Sequence, residues 1–225
     1  MRKIIIAIDG PAGSGKSTTA GKVADSLGYI YIDTGAMYRA ATLLWLYMGR
    51  QINEANAPEV MEKCKITMRN SPDGQLTILN GKDVSAELRT SEVTKYVSRV
   101  SAMPYVREKL TAQQRQLGEN GGVVMDGRDI GTVVFPNAGL KIFLVADVDK
   151  RAERRWKELK EKGLDVHLDE IKQQIIERDK YDSSREHSPL KKADDAIEVD
   201  TSNMTIEEQV QKVIDLAEER INLKH

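Results

Sequence analysis

The sequence predicts an α/β fold, with a parallel-sheet core interrupted once by a smaller antiparallel unit. Three observations carry that expectation. Short apolar runs recur at the start and in the second half of the chain, alternating with helical patterns, as parallel strands joined by crossover helices do. The first run opens into the glycine-rich stretch DGPAGSGKSTTAGK, Asp9–Lys22. Between the second and third runs the pattern changes to short alternating segments broken by Pro-Asp-Gly and Asn-Gly, which signal tight antiparallel turns.

Taken in order, KIIIAI (Lys3–Ile8) reads as a buried strand, followed by a glycine-rich turn and a helix that ends near Gly28. Aromatic and β-branched residues make YIYID (Tyr29–Asp33) a second strand. A helix follows from about Ala36, with Met37, Ala40, Ala41, Leu44, Trp45 and Met48 at helical spacing and Gly49 to end it. Lys65–Ser85 alternates as a small hairpin system. Two helices then run over Ser91–Ala102 and Pro104–Leu117, the second with proline in its first turn. The α/β rhythm returns with GGVVMD (Gly121–Asp126), KIFLVA (Lys141–Ala146), a charged helix from Asp149 and AIEVD (Ala196–Asp200). An amphipathic helix over Thr205–Ile221 closes the chain. The interruption amounts to about 50–60 residues, small beside an ordinary domain. Lys160–Glu170 reads as a mobile connection between two charged helices, because it offers few apolar anchors.

Composition narrows the function classes. Lys and Arg number 34 against 35 Asp and Glu, so no net field recruits nucleic acid or a membrane surface. The N-terminal apolar run is too short to span a bilayer and lacks a secretory cleavage pattern. One cysteine, Cys64, leaves no intrachain disulfide framework and suits a reducing cytoplasm. The three histidines, His167, His187 and His225, lie too far apart in sequence for a zinc cluster or a histidine-based nucleophile. With no heptad seam, a monomer is the default.

Gly10, Pro11, Ala12, Gly13, Ser14, Gly15, Lys16 and Ser17, with Thr18 behind them, match G-x-x-x-x-G-K-[ST] with a strand before and a helix after. Glycines let the backbone wrap closely, so that its N–H groups and the helix N-terminus meet phosphate oxygens. Lys16 would reach the β- and γ-phosphates of a nucleoside triphosphate, and the Ser17 hydroxyl would ligate Mg²⁺. The plainer alternative is a tight glycine turn with an incidental lysine, but the flanks on both sides fit the cradle. A switch-type GTPase would also need an N-K-x-D guanine motif, which is absent.

A kinase for a small acceptor needs a second anion site. Arg39 stands one turn beyond the Thr34-Gly35 corner. Arg128 leaves the end of the third core strand, the edge at which open α/β sheets bind ligands. Arg178, Asp182 and Arg185 fall at i, i+4 and i+7 and share one face if their helix persists. Taken alone, that row could equally be a self-paired solvated surface of little consequence for stability.

DGPAGSGKST (Asp9–Thr18), DTGAMYR (Asp33–Arg39), DGRDIGTVVFP (Asp126–Pro136), RAERR (Arg151–Arg155) and ERDKYDSSREHSPL (Glu177–Leu190) occur in this order. With them the chain resembles, along essentially its whole length, the bacterial cytidylate kinase family of nucleoside monophosphate kinases. The resemblance implies one P-loop kinase domain over 1–225 with a central five-stranded parallel sheet. It also implies an inserted acceptor-binding subdomain at about 36–104 and a lid at about 150–170. The implied reaction carries the γ-phosphoryl group of ATP, with Mg²⁺, to CMP or dCMP.

The resemblance also implies roles for single residues. Arg39, Arg128, Arg178 and Arg185 would hold the CMP phosphate, Thr34 would add a hydroxyl contact, and Asp182 would take a ribose hydroxyl. Asp129, with Ser98 and Arg107, would read the base. Chemistry supports Asp129 as the reader, because cytosine presents an exocyclic amino donor to a carboxylate whereas uracil would present a carbonyl oxygen. Such an unpaired group in a closed site costs about 1–3 kcal/mol. Asp126 ends the run VVMD in the manner of a Walker-B acid and could either orient Mg²⁺-bound water or fix Arg128. Arg151 and Arg155 could close over the moving phosphoryl group, or simply pair with Glu153, Glu158 and their neighbours. His187, beside Arg185, reads as a surface histidine.

Overall fold

The structure is a computed structural model that describes residues 3–71, 74–161 and 163–223. From the N-terminus, β1 (Ile5–Asp9), α1 (Lys16–Leu27) and β2 (Ile30–Asp33) form the expected strand, helix and strand. Next come α2 (Thr34–Tyr47), a 3-10 turn at Glu54–Asn56, α3 (Ala57–Glu62), β3 (Ile66–Ser71), β4 (Gly74–Leu79), β5 (Lys82–Asp83), α4 (Ser91–Ala102) and α5 (Pro104–Gly118). The second half contributes β6 (Val123–Gly127), a π-helical turn at Ile130–Val134, β7 (Leu140–Val145), α6 (Val148–Glu161), α7 (Leu168–Ser183), β8 (Ile197–Asp200) and α8 (Ile206–Asn222).

Five strands form a parallel sheet in the order β2-β6-β1-β7-β8. In its middle, Ile5 to Asp9 pair in register with Val123 to Gly127, and Ile6 to Asp9 with Leu140 to Phe143. Central strands of such a sheet are buried on both faces, which explains their continuous apolar runs. Ile6, Ile8, Val124, Ile142 and Leu144 form its core with Val23 of α1 and Val213 and Ala217 of α8. Each large aliphatic side chain so buried contributes about 1.5–3 kcal/mol relative to exposure. Local chemistry sets the helix ends. Gly28 takes the left-handed conformation that ends α1. Thr205 and Glu208 form a reciprocal capping box, so α8 begins just after Thr205.

Contacts divide the chain into two compact units: one made of the chain up to Tyr31 with the segment from Gly121 onward, the other Ile32–Asn120. The second unit holds the three-stranded antiparallel sheet β3-β4-β5 and four helices. α2 starts two residues before the expected Ala36, because the Asp33 side chain accepts from the Ala36 amide and caps it. α5 packs with α2, α3 and α4 and so belongs to this unit. The Pro72-Asp73 part of the expected hairpin turn lies outside the described residues.

One expectation needs correction, and a second segment carries a contact not legible in its composition. α7 ends at Ser183, so Arg185 is not on the helical face of Arg178 and Asp182 but in the turn beyond it. The connection between α6 and α7 is better anchored than its composition suggests. Val166 packs against Ala152, Ile171 and Ile175, and its carbonyl accepts from Trp156 Nε1 at 3.1 Å.

Candidate functional site

The glycine-rich loop spans the end of β1 and the start of α1. Gly10 has φ 149°, and a Cβ there would lie 2.2 Å from the Leu144 carbonyl oxygen, so only glycine fits beside β7. Distant residues hold the loop from several sides. The Thr201 hydroxyl donates to the Ser14 carbonyl at 3.1 Å, and the Thr19 hydroxyl donates to Gln209 Oε1 at 3.1 Å. Arg151, buried on α6, donates to the Ala12 carbonyl at 3.0 Å and to the Ala146 carbonyl at 3.0 Å. Asp179 of α7 pairs with Arg151 at 2.5 Å and accepts from the Ala12 amide at 3.3 Å.

Lys16 is buried, with its Nζ donating to the Pro11 carbonyl at 2.6 Å. Burial first, and the Arg128 guanidinium next, push its ammonium well below the usual lysine range, with Arg178 adding to the effect and Asp126 opposing it. The Ser17 hydroxyl donates to Asp126 Oδ2 at 2.9 Å, and the Tyr31 hydroxyl donates to Asp126 Oδ1 at 2.8 Å. Asp126 is thereby drawn to Ser17 rather than to Arg128. A hydroxyl beside a carboxylate is an oxygen donor set that suits Mg²⁺. Among the described residues no group of three His, Cys, Asp or Glu could hold a metal.

Arg128, Arg178 and Arg185 converge on buried Asp182. Arg128 Nε lies 3.0 Å from Asp182 Oδ2, Arg178 Nε lies 3.9 Å from the same oxygen, and Arg185 donates to Oδ1. The self-pairing foreseen for this row is present around a buried carboxylate, with Arg128 added from the end of β6, while the Arg178 and Arg128 side chains stay 34% and 19% exposed. Asp129 is 4% exposed and begins the π-helical turn. Asp9, at the end of β1, accepts from the Ile130 amide at 2.8 Å and the Gly131 amide at 2.7 Å. Its pKa is raised to about 6 by burial, against the pull of those two amides.

The remaining arginines of α6 differ from one another. Arg154 donates to the Thr201 hydroxyl and carbonyl, tying α6 to the loop after β8. Arg155 pairs with Glu158 at 2.6 Å, the plainer of its two sequence readings. In the Ile32–Asn120 unit, Arg39 donates to the Leu88 carbonyl at 3.2 Å and the Thr94 hydroxyl at 3.0 Å. Buried Arg107 donates to the Ser101 carbonyl at 2.9 Å and lies 5.3 Å from the Tyr38 ring centre. The Ser98 carbonyl accepts from Ser101, and Thr34 is buried in the first turn of α2.

Asp9, Tyr31, Asp179 and Thr201 escaped the sequence reading. Asp9 carried a signal, since it ends an apolar strand just as Asp126 does. Asp179 lay inside the quoted ERDKYD motif. Tyr31 and Thr201 carried none, because their partners are 95 and 187 residues away.

A phosphate cradle at the carboxyl edge of a parallel sheet, with arginines gathered on one buried aspartate, defines a P-loop kinase. A solved gluconokinase structure from Sinorhizobium meliloti shares the fold, with a TM-score of 0.50 at 16% identity over 98% of this chain and 97% of that one. Sequence comparison narrows the class. A family model described as cytidylate kinase matches residues 6–219. Cytidylate kinases of Bacillus cereus and Bacillus thuringiensis are each 53% identical to it, over 96% and 95% of this chain and the same shares of their own. The chain belongs to the cytidylate kinase family.

Proposed function

We propose that this protein transfers the γ-phosphoryl group of ATP to CMP, and to dCMP, giving the diphosphate and ADP in pyrimidine nucleotide metabolism. Family membership supports the reaction, and one structural observation supports the site most directly. The Lys16 ammonium lies in the field of Arg128 and Arg178, and both guanidiniums are drawn to the same carboxylate, Asp182. Donor lysine and acceptor arginines thus belong to one region of positive potential, in which two phosphate anions can approach one another.

In this reading Gly10 to Thr18 bind ATP, with Lys16 on its terminal phosphates. Ser17 would hold Mg²⁺ with Asp126 behind it, and the ion would supply charge neutralisation of the phosphate oxygens. Arg39, Arg128, Arg178 and Arg185 bind the CMP phosphate, Thr34 adds a hydroxyl and Asp182 takes the ribose. Asp129, Ser98 and Arg107 bind the cytosine. The acceptor is already an anion, so no general base is required and catalysis reduces to orientation and charge compensation. Exchange of its Glu158 partner for the transferring phosphoryl group would make Arg155 a catalytic residue. The α6–α7 segment would act as a lid that sheds competing water.

The test is ADP release with MgATP and each nucleoside monophosphate in turn. Turnover with CMP and dCMP well above that with UMP is expected. Faster turnover with UMP would overturn the assignment of Asp129, and ATP hydrolysis independent of any acceptor would overturn the kinase reading.

A further inference from the structure

A helix packed on one side repeats its inward face every three to four residues. On α7 that face runs through Ile171, Ile175, Asp179 and Asp182. The two isoleucines are buried with Ala152 of α6, and Asp182 is 1% exposed. Two carboxylates therefore continue a stripe that aliphatic side chains begin, and a charge taken out of water persists only where partners compensate it. Asp182 faces the arginines described above. Asp179 has a different set of partners. Its Oδ1 accepts from the Ala12 amide at 3.3 Å, and its Oδ2 pairs with Arg151 at 2.5 Å. Arg151 in turn donates to the Ala12 carbonyl at 3.0 Å, so both polar groups of one loop residue are held from α6 and α7. The next loop residue is seated as closely, since a Cβ on Gly13 would lie 3.2 Å from the Arg151 Cβ.

We propose that Asp179 is a positioning residue that couples the two substrate sites: it fixes α7 to the donor loop, so that ATP binding orders the helix that presents Arg178 and Asp182 to CMP. The inference rests on the reading of those two residues as acceptor contacts. Asp179 directly follows Arg178 and precedes Asp182 by less than one helical turn, so the backbone passes its placement to both without slack. A nucleotide that fixes the loop fixes Ala12, and through Ala12 its carboxylate partner. CMP then meets an arginine and an aspartate that are already ordered, and binds more tightly for it. Charge alone predicts the opposite sign, because two phosphate anions brought together repel and each weakens the binding of the other. Reciprocity requires CMP to strengthen ATP binding by the same factor.

Calorimetric titration of CMP into the protein tests this, with and without Mg²⁺ and a saturating non-hydrolysable ATP analogue. The readout is the ratio of the CMP Kd without the analogue to that with it. In the wild-type protein this ratio is expected to be at least about five. Asp179→Ala should bring it to one or below. Asp179→Asn, which keeps the size and an oxygen for the Ala12 amide but lacks the charge that pairs with Arg151, should keep part of it. An unchanged ratio in Asp179→Ala, even with CMP weaker in both conditions, would overturn the proposal and leave Asp179 a residue that only stabilises the fold. The wild-type ratio does not depend on the folding of any variant, and a value of one or less would also overturn the proposal. CMP that failed to bind the wild-type protein in either condition would overturn the acceptor reading itself, and the inference with it.

Discussion

At the scale of single residues, a few charged side chains are buried around the site. Asp9 illustrates the cost. Its carboxyl has a pKa of about 6 in the fold, against 3.8 in an open chain, because burial outweighs the two amides that favour the anion. The folded state therefore holds the proton more tightly than the unfolded state does. The stability linked to that proton is fully present below about pH 4 and is lost as pH rises through about 6. The difference amounts to about 3 kcal/mol in all, about 1 of which falls between pH 5 and pH 7. Asp9→Asn removes the titration while keeping the size of the side chain. Urea unfolding of both proteins should show the wild type losing ground to the variant by about 1 kcal/mol from pH 5 to pH 7. A difference that stays constant with pH would show that Asp9 ionises freely. Its charge would then cost the fold nothing that depends on pH.

At the scale of elements, α6 supports the phosphate loop through one side chain. Arg151 reaches the Ala146 carbonyl, the Ala12 carbonyl and Asp179, so a planar fork joins the end of β7, the donor loop and α7. A lysine carries the same charge on a single nitrogen and cannot serve three acceptors in those directions. Arg151→Lys should therefore release Ala12 and Asp179 and destabilise the protein by about 1–3 kcal/mol. The ATP KM should rise several-fold, with a smaller effect on the CMP KM. Steady-state kinetics with each substrate varied in turn, together with a thermal melt, check this. Equal changes in both KM values would mean that α6 acts on the site as a whole. Arg154 forms a second tie, to Thr201, whose hydroxyl also holds the Ser14 carbonyl. Between them the two arginines link both sides of the cradle to a helix whose arginines the sequence offered either to the moving phosphoryl group or to neighbouring glutamates.

For the whole molecule, the division into two compact units gives each its own apolar interior. Cys64 lies in the Ile32–Asn120 unit at 4% exposure, and burial pushes its thiol up to about 12. The thiolate is the reactive form, so a folded chain offers almost none of it at neutral pH. Labelling with a thiol reagent should then be slower than in urea-unfolded protein by at least about a thousandfold, and should report the opening of that unit. Labelling at a rate near that of the unfolded chain would show that the unit opens readily in the native protein.

The sequence by itself determined the α/β class, the phosphate cradle, the inserted antiparallel unit and most helix boundaries, because those depend on neighbours. Side-chain periodicity, capping residues such as Thr205, and glycines at turns act within one or two turns of chain. The five ordered motifs also indicated which arginines to watch. Only the tertiary structure decided what those residues do to one another. The capping of the Asp129 turn by Asp9, the seating of Asp126 on Ser17 and Tyr31, and the hold of Asp179 on Ala12 each join parts of the chain far apart in sequence. Arg185 reaches Asp182 from beyond the end of a helix that composition alone would have continued. Such pairings follow from which strand ends the order β2-β6-β1-β7-β8 makes neighbours. That order is set by burial of the whole sheet, to which no short stretch of chain holds the key.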